Sequence, residues 1–169
     1  ILLHERNSIQ LYAFIAKHAI LKNSIKQIWN IYMRTIVTVG ISDMKIVKEH
    51  EILISYALGS CVGICIIDCV AQIAGMAHIM LSYNKNGDKK EIFKYADTGI
   101  TEMVRQMEKL GGIKSRMTAK IAGGAKMFDI KGSSTIGSIG EKNIAAVKDT
   151  LQKLRIRLIA EDVGQNYGR

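Results

Sequence analysis

A thiol and an imidazole lie in the apolar stretch YALGSCVGICIIDCVAQIAGMAHIMLS, Tyr56 to Ser82: Cys61, and His78 seventeen residues later. A thiol is a weak nucleophile until it loses its proton, and a neighbouring imidazole is the usual group that takes it at neutral pH. Leu58-Gly59-Ser60 precedes the cysteine. Gly59 permits a tight turn that presents the thiol and aims backbone N–H groups, around Ser60 and Cys61, at a developing oxyanion. The competing reading makes Cys61 a small buried hydrophobe and His78 a satisfied sheet histidine. The two residues alone do not decide between them.

The elements around this pair are readable. CVGICII is short, apolar and β-branched, which suits a buried strand, and Asp68 ends it. IAGMAHIML, from Ile73, is a second such run at hairpin distance, without an Asn-Gly or Asp-Gly turn. If Asp68 pairs with Ala71, Cys61 falls opposite His78, with Cβ atoms roughly 5 Å apart on one face. A one-residue slip would put them on opposite faces. Zinc is a poor fit for Cys61, Cys65 and Cys69. Four strand residues span roughly 13 Å, whereas zinc–thiolate bonds are about 2.3 Å. Cys65 and Cys69 read as packing residues.

ALGSCVGICIID followed by AGMAHIMLS resembles the CheD family, chemoreceptor glutamine deamidases of bacterial and archaeal chemotaxis. The shared features are the Leu-Gly-Ser-Cys-Val core and a histidine seventeen residues after the cysteine, here His78. The family's threonine hydroxyl six residues before the cysteine corresponds to Ser55. Further similar segments follow in order: KIAGGAKMF, then Ile139-Gly140-Glu141-Lys142-Asn143, then EDVGQNYGR, where Gln165 stands in place of a second glycine. The resemblance spans about residues 33–169. It implies Cys61 and His78 as catalytic residues, with Ser55 orienting the imidazole. It further implies deamidation of glutamines in methyl-accepting chemoreceptors, with glutamyl methyl-ester hydrolysis open to the same machinery. No metal or organic cofactor is called for, and CheC is implied as a regulatory partner. A non-catalytic module that docks on receptors or CheC is the alternative; Ser55 and Gln165 leave room for it.

From residue 33 the elements run in order. MRTIVTVG alternates as a strand, Asp43 to Lys48 is a connection or short strand, and Glu51 to Leu58 leads into the Gly-Ser-Cys turn. YNKNGDKK, Tyr83 to Lys90, is a polar loop, either a substrate rim or merely solvated. Tyr95 to Leu110 is the clearest helix, with Ala96, Ile100, Met103, Val104, Met107 and Leu110 on one stripe and Gly111-Gly112 as its stop. Arg116 to Ile121 reads as a strand, and Gly123-Gly124 as a bend where backbones pack closely near the site. The Walker spacing is absent, so Lys126 marks no phosphate loop. Lys131 to Ser138 is a loop. A second helix runs to about Leu154 with Ile144, Val147, Leu151 and Leu154 inward, and Arg155 to Ala160 is a strand. The whole reads as an α+β, or mixed α/β, domain. The resemblance implies a β-sandwich-like core flanked by helices, as in cysteine deamidases of bacterial toxins.

Length and composition fit one globular domain: 169 residues, 48% apolar and 23% charged. With no proline, the turns must rely on Gly, Asn, Asp and Ser. Three cysteines and no cleavable leader pattern suggest free thiols in the cytoplasm. Residues 1–32 differ from the rest and are expected to form an extension outside the domain, with Met33 as a natural start. Arg6, Lys17, Lys22 and Lys26 against Glu5 give this segment +3 of the total +9, leaving +6 for the remainder. Its lysines interrupt every apolar run, so it is too short for a membrane span; a basic amphipathic surface helix is the other reading. Aromatics are only 6% and not interleaved with a basic run, which disfavours nucleic acid. The basic charge suits an acidic protein substrate. The family pattern continues past Arg169, so a truncated C-terminus is also expected.

Overall fold

A computed structural model of the chain describes residues 35–48, 51–126 and 139–168. In chain order the elements are β1 (Thr35–Thr38), β2 (Met44–Lys48), β3 (Glu51–Ile54), β4 (Val62–Asp68), β5 (Ile73–Ile79), α1 (Ala96–Lys109), β6 (Thr118–Gly123), α2 (Ile139–Leu154) and β7 (Arg157–Val163). Five strands form one sheet in the order β2-β5-β4-β6-β7, with the apolar hairpin β4–β5 at its centre. β1 and β3 pair in parallel as a separate two-stranded sheet.

Strand alternation divides the interior into two layers. Val62, Ile64 and Ile66 of β4, with Ile73, Ala77 and Ile79 of β5, face α1 and α2 and join Ile100, Met103, Met107, Val147 and Leu151 in the main core. Each fully buried isoleucine contributes about 1.5–3 kcal/mol. On the opposite face, Met76, Ala74 and Cys65 meet Val47, Val39, Leu53 and Val37 beneath the β1–β3 pair. Sheet packs on sheet on one side and helices on the other. The expected α+β class with a sandwich-like core is what forms.

The hairpin register differs from the expected one by two residues. Asp68 pairs with Ile73 and Val62 with Ile79, so His78 stands opposite Gly63, not Cys61. The cause is the turn. The buried Asp68 carboxylate accepts the N–H groups of Val70 and Ala71, both at 3.1 Å, and closes a four-residue turn rather than a two-residue one. Because the shift is even, it preserves the faces. His78 stays on the side covered by β1 and β3, the side the alternation of β4 also gives to position 61.

Other elements follow the sequence with local differences. The α1 stripe is buried from Ala96 to Met107, but Leu110 caps the helix and is 44% exposed. Gly111, at φ 102, donates to Glu108 O and Gly112 donates to Met107 O, the double bond of a glycine-ended helix. β3 stops at Ile54 rather than running to Leu58, and the last strand covers Arg157–Val163. In α2, Val147 and Leu151 are buried, while Ile144 and Leu154 are partly so. Residues 1–32, Met33 and the loop 131–138 lie outside the described residues. Among the described residues, no helix is long and apolar enough to cross a membrane.

Candidate active site

Ser55, just past β3, continues the parallel pairing of β1 and β3 and is 2% exposed. Its Oγ lies 2.8 Å from the Val39 carbonyl oxygen and 2.9 Å from His78 Nδ1. A carbonyl only accepts, so the single hydroxyl proton goes to Val39. The same oxygen must then accept from His78, which assigns the ring hydrogen to Nδ1 and the lone pair to Nε2. The serine thus fixes both the tautomer and the orientation of the ring.

The imidazole is held from its backbone as well. His78 N–H donates to Asp43 O, and Ser42 N–H donates to His78 O, both at 3.0 Å. The side chain is 1% exposed, and Nε2 is buried without a hydrogen-bond partner among the described residues. A buried ring nitrogen in this state is unusual and points to chemistry rather than packing.

Cys61 is partly buried in the bend immediately before β4. No hydrogen bond joins it to His78 Nε2; such bonds often tighten only when substrate binds. Burial pushes the Cys61 thiol up from its ordinary value and the His78 imidazole down. Both shifts favour the neutral pair. Cys65, further along the strand, is pushed up to about 11 by burial and packs in the second core. Among the described residues, no group of three His, Cys, Asp or Glu side chains is arranged to hold a metal ion.

The loop carrying Cys61 is pinned at three successive carbonyls. Gly59 O accepts from Ala125 N–H at 2.7 Å, Ser60 O from Asn143 Nδ2 at 3.0 Å, and Cys61 O from Gly124 N–H at 2.7 Å. The N–H groups of Ser60 and Cys61 have no partner among the described residues. The Gly59 N–H bonds Ala57 O at 3.0 Å across a three-residue turn. The positive φ of this turn falls on Ala57, at 58°, rather than on Gly59. The Gly123-Gly124 bend has the expected close-packing role. A Cβ on Gly123, at φ 104, would lie 2.4 Å from Cys61 O. The loop at Tyr83 is tied back by Tyr83 Oη to Asp149, at 3.1 Å, and by Asn84 to Asp97.

The sequence reading gave Asn143 no role. It is 1% exposed, and its amide donates to Ser60 O and to Met80 O, at 3.0 and 2.9 Å. Two signals mark it in the sequence: its place in the family-like Ile139-Gly140-Glu141-Lys142-Asn143 segment, and a polar side chain within the buried stripe of α2, one turn before Ala146 and Val147.

The family model for CheD, chemotactic sensory transduction, matches residues 69–169. The chain belongs to the CheD family. A protein from Caldanaerobacter subterraneus subsp. tengcongensis is 48% identical over 135 residues, covering 79% of this chain and 83% of its own. One from Syntrophomonas wolfei subsp. wolfei is 47% identical over 140 residues, 81% and 86% of the two chains. Both are named "Probable chemoreceptor glutamine deamidase CheD". One from Halalkalibacterium halodurans, named "Chemoreceptor glutamine deamidase CheD", is 40% identical over 139 residues, again 81% and 86%. The crystal structure of a Neisseria meningitidis protein of family DUF152 superposes with a TM-score of 0.51 at 7% identity, covering 84% of this chain and 69% of that one. That likeness concerns the fold alone. His78 and Asn143 fall within the family-model match, while Ser55 and Cys61 precede it.

Proposed function

We propose that this CheD-family chain is a protein-glutamine deamidase acting on methyl-accepting chemoreceptors in chemotaxis, with Cys61 as nucleophile, His78 as general base and acid, and Ser55 as the group that orients it. The observation that carries this reading is the Ser55–His78 bond, which puts the ring's lone pair on Nε2, an atom without a hydrogen-bond partner among the described residues. A binding module with an incidental thiol has no need of that arrangement. The names of the relatives point to the same activity.

In this reading His78 Nε2 takes the Cys61 proton as sulfur attacks the glutamine carboxamide carbon. The oxyanion is met by backbone N–H groups at Ser60 and Cys61. The imidazolium returns its proton to the amide nitrogen, the C–N bond breaks, and ammonia leaves a thioester. Water, deprotonated by His78, attacks the thioester. Sulfur departs and is reprotonated, and the side chain is released as glutamate. The net change is glutamine plus water to glutamate plus ammonia.

The catalytic unit in this reading is residues 33–169, acting in the cytoplasm, with 1–32 outside it. Its basic charge suits an acidic receptor segment. CheC is the regulatory partner that the family resemblance suggests, and a pull-down with purified CheC tests it. The activity itself is tested by ammonia release from a purified chemoreceptor cytoplasmic fragment. Release that depends on Cys61 is expected; a folded protein that binds the fragment and releases none would favour a docking module.

A further inference from the structure

We propose that Asn143 is a positioning residue that aims the Cys61 N–H at the oxyanion; the inference rests on the deamidase reading above. A peptide unit is planar and trans, so the Ser60 carbonyl and the Cys61 N–H are opposite ends of one rigid plate. Fixing Ser60 O fixes the direction of the Cys61 N–H. Asn143 Nδ2 makes that bond at 3.0 Å, from a side chain that is 1% exposed and so has little room to move.

The neighbouring plates are held differently. Gly59 O and Cys61 O are fixed by backbone N–H groups of Ala125 and Gly124, at the end of β6. The plate that carries the nucleophile's own N–H depends on a side chain from α2.

The second amide proton explains why a side chain is needed there. β4 and β5 pair as far as Val62 and Ile79. Beyond that point Met80 turns its N–H to Lys94 O, at 3.1 Å, and the two chains part. Asn143 Nδ2 spans the opening, donating to Met80 O at 2.9 Å as well as to Ser60 O. A carboxamide has two N–H donors on one nitrogen, and here they join the Cys61 loop to the end of the strand that carries His78. The amide is a rung placed where the ladder has opened to make the site.

The experiment compares wild type, Asn143→Ala and Asn143→Asp in full-length protein. The substrate is a chemoreceptor cytoplasmic fragment, and Cys61 alkylation by iodoacetamide is measured in parallel. Alkylation needs the thiol but no oxyanion donor. The expected result is a fall in kcat of about 10²-fold, the scale of one lost oxyanion donor, with KM and the alkylation rate near wild type. Asn143→Asp, isosteric but turning an acceptor toward both carbonyls, is expected to fall at least as far. Should Asn143→Ala fail to fold, Asn143→Ser, which keeps one donor, gives the same comparison. Wild-type kcat in a folded variant would overturn the proposal. So would kcat and alkylation falling together, since the amide would then be supporting the thiol and not the N–H. Inactive wild type on every receptor fragment would instead count against the deamidase reading.

Discussion

Replacing Ser55 with alanine removes one oxygen and strands two buried groups. The hydroxyl donates to Val39 O at 2.8 Å and accepts from His78 Nδ1 at 2.9 Å. Each unpaired group costs about 1–3 kcal/mol when buried. Some relaxation is available, so a loss of about 2–4 kcal/mol in unfolding free energy is expected from urea titration. The catalytic loss is separate. With the hydroxyl gone, nothing selects the tautomer that leaves Nε2 bare, and the ring is free to rotate about χ2. A positioned general base contributes about 10²–10⁴ in rate, so kcat for ammonia release should fall by about 10²-fold, equivalent to about 2.7 kcal/mol. KM should change little, because Ser55 is buried behind the histidine. Ser55→Thr retains the hydroxyl and should keep most of the activity. A folded Ser55→Ala protein with wild-type kcat would refute the tautomer argument.

Iodoacetamide alkylation of Cys61 in resting protein should rise through and beyond the ordinary thiol range, with no plateau near neutrality, because burial raises the thiol and lowers the imidazole. Gly123→Ala places a Cβ against Cys61 O at a φ that disfavours side chains, so both melting temperature and kcat should drop. Arg116→Ala strips the guanidinium from the buried Asp68 carboxylate. Breaking a buried pair costs about 3–5 kcal/mol. The remaining N–H donors of Val70, Ala71 and Ile113 hold the loss toward the lower end, and kcat of the folded fraction should be unchanged at the far end of the strands. Arg116 also holds Asp68 well below the usual carboxylate range. The folded value is depressed, so this stabilisation is full above the unfolded value of about 3.9 and is lost as pH falls below it. A pH series of urea midpoints, steeper below about pH 4 in wild type than in Arg116→Ala, checks the sign.

The residues and the elements around them were legible for different reasons. Cys61 and His78 stand in two β-branched runs, and the simplest register, Asp68 with Ala71, put them on one face. The Asp68 turn moved the register by two and left that face intact, so the direct pairing failed while the shared side survived. That turn was hidden because a carboxylate capping two N–H groups can close a four-residue loop without Gly or Pro. The Gly123-Gly124 bend was readable from its paired glycines. The parallel pairing of β1 with β3, which delivers Ser55, joins segments separated by an excursion of β2 into the other sheet, and no local pattern encodes it. Asn143 stands out in the sequence as part of a family-like segment but with no role attached; only the meeting of α2 with the opened end of β4–β5 gives its amide two carbonyls to join.

The most direct test of the central claim is mass spectrometry of a chemoreceptor cytoplasmic fragment after incubation with wild type, Cys61→Ala and His78→Ala. The account predicts Gln-to-Glu mass gains at defined receptor glutamines with wild type and none with either variant. Conversion that persists without the thiol or the imidazole, or no conversion by folded wild-type protein on any receptor fragment, would contradict it.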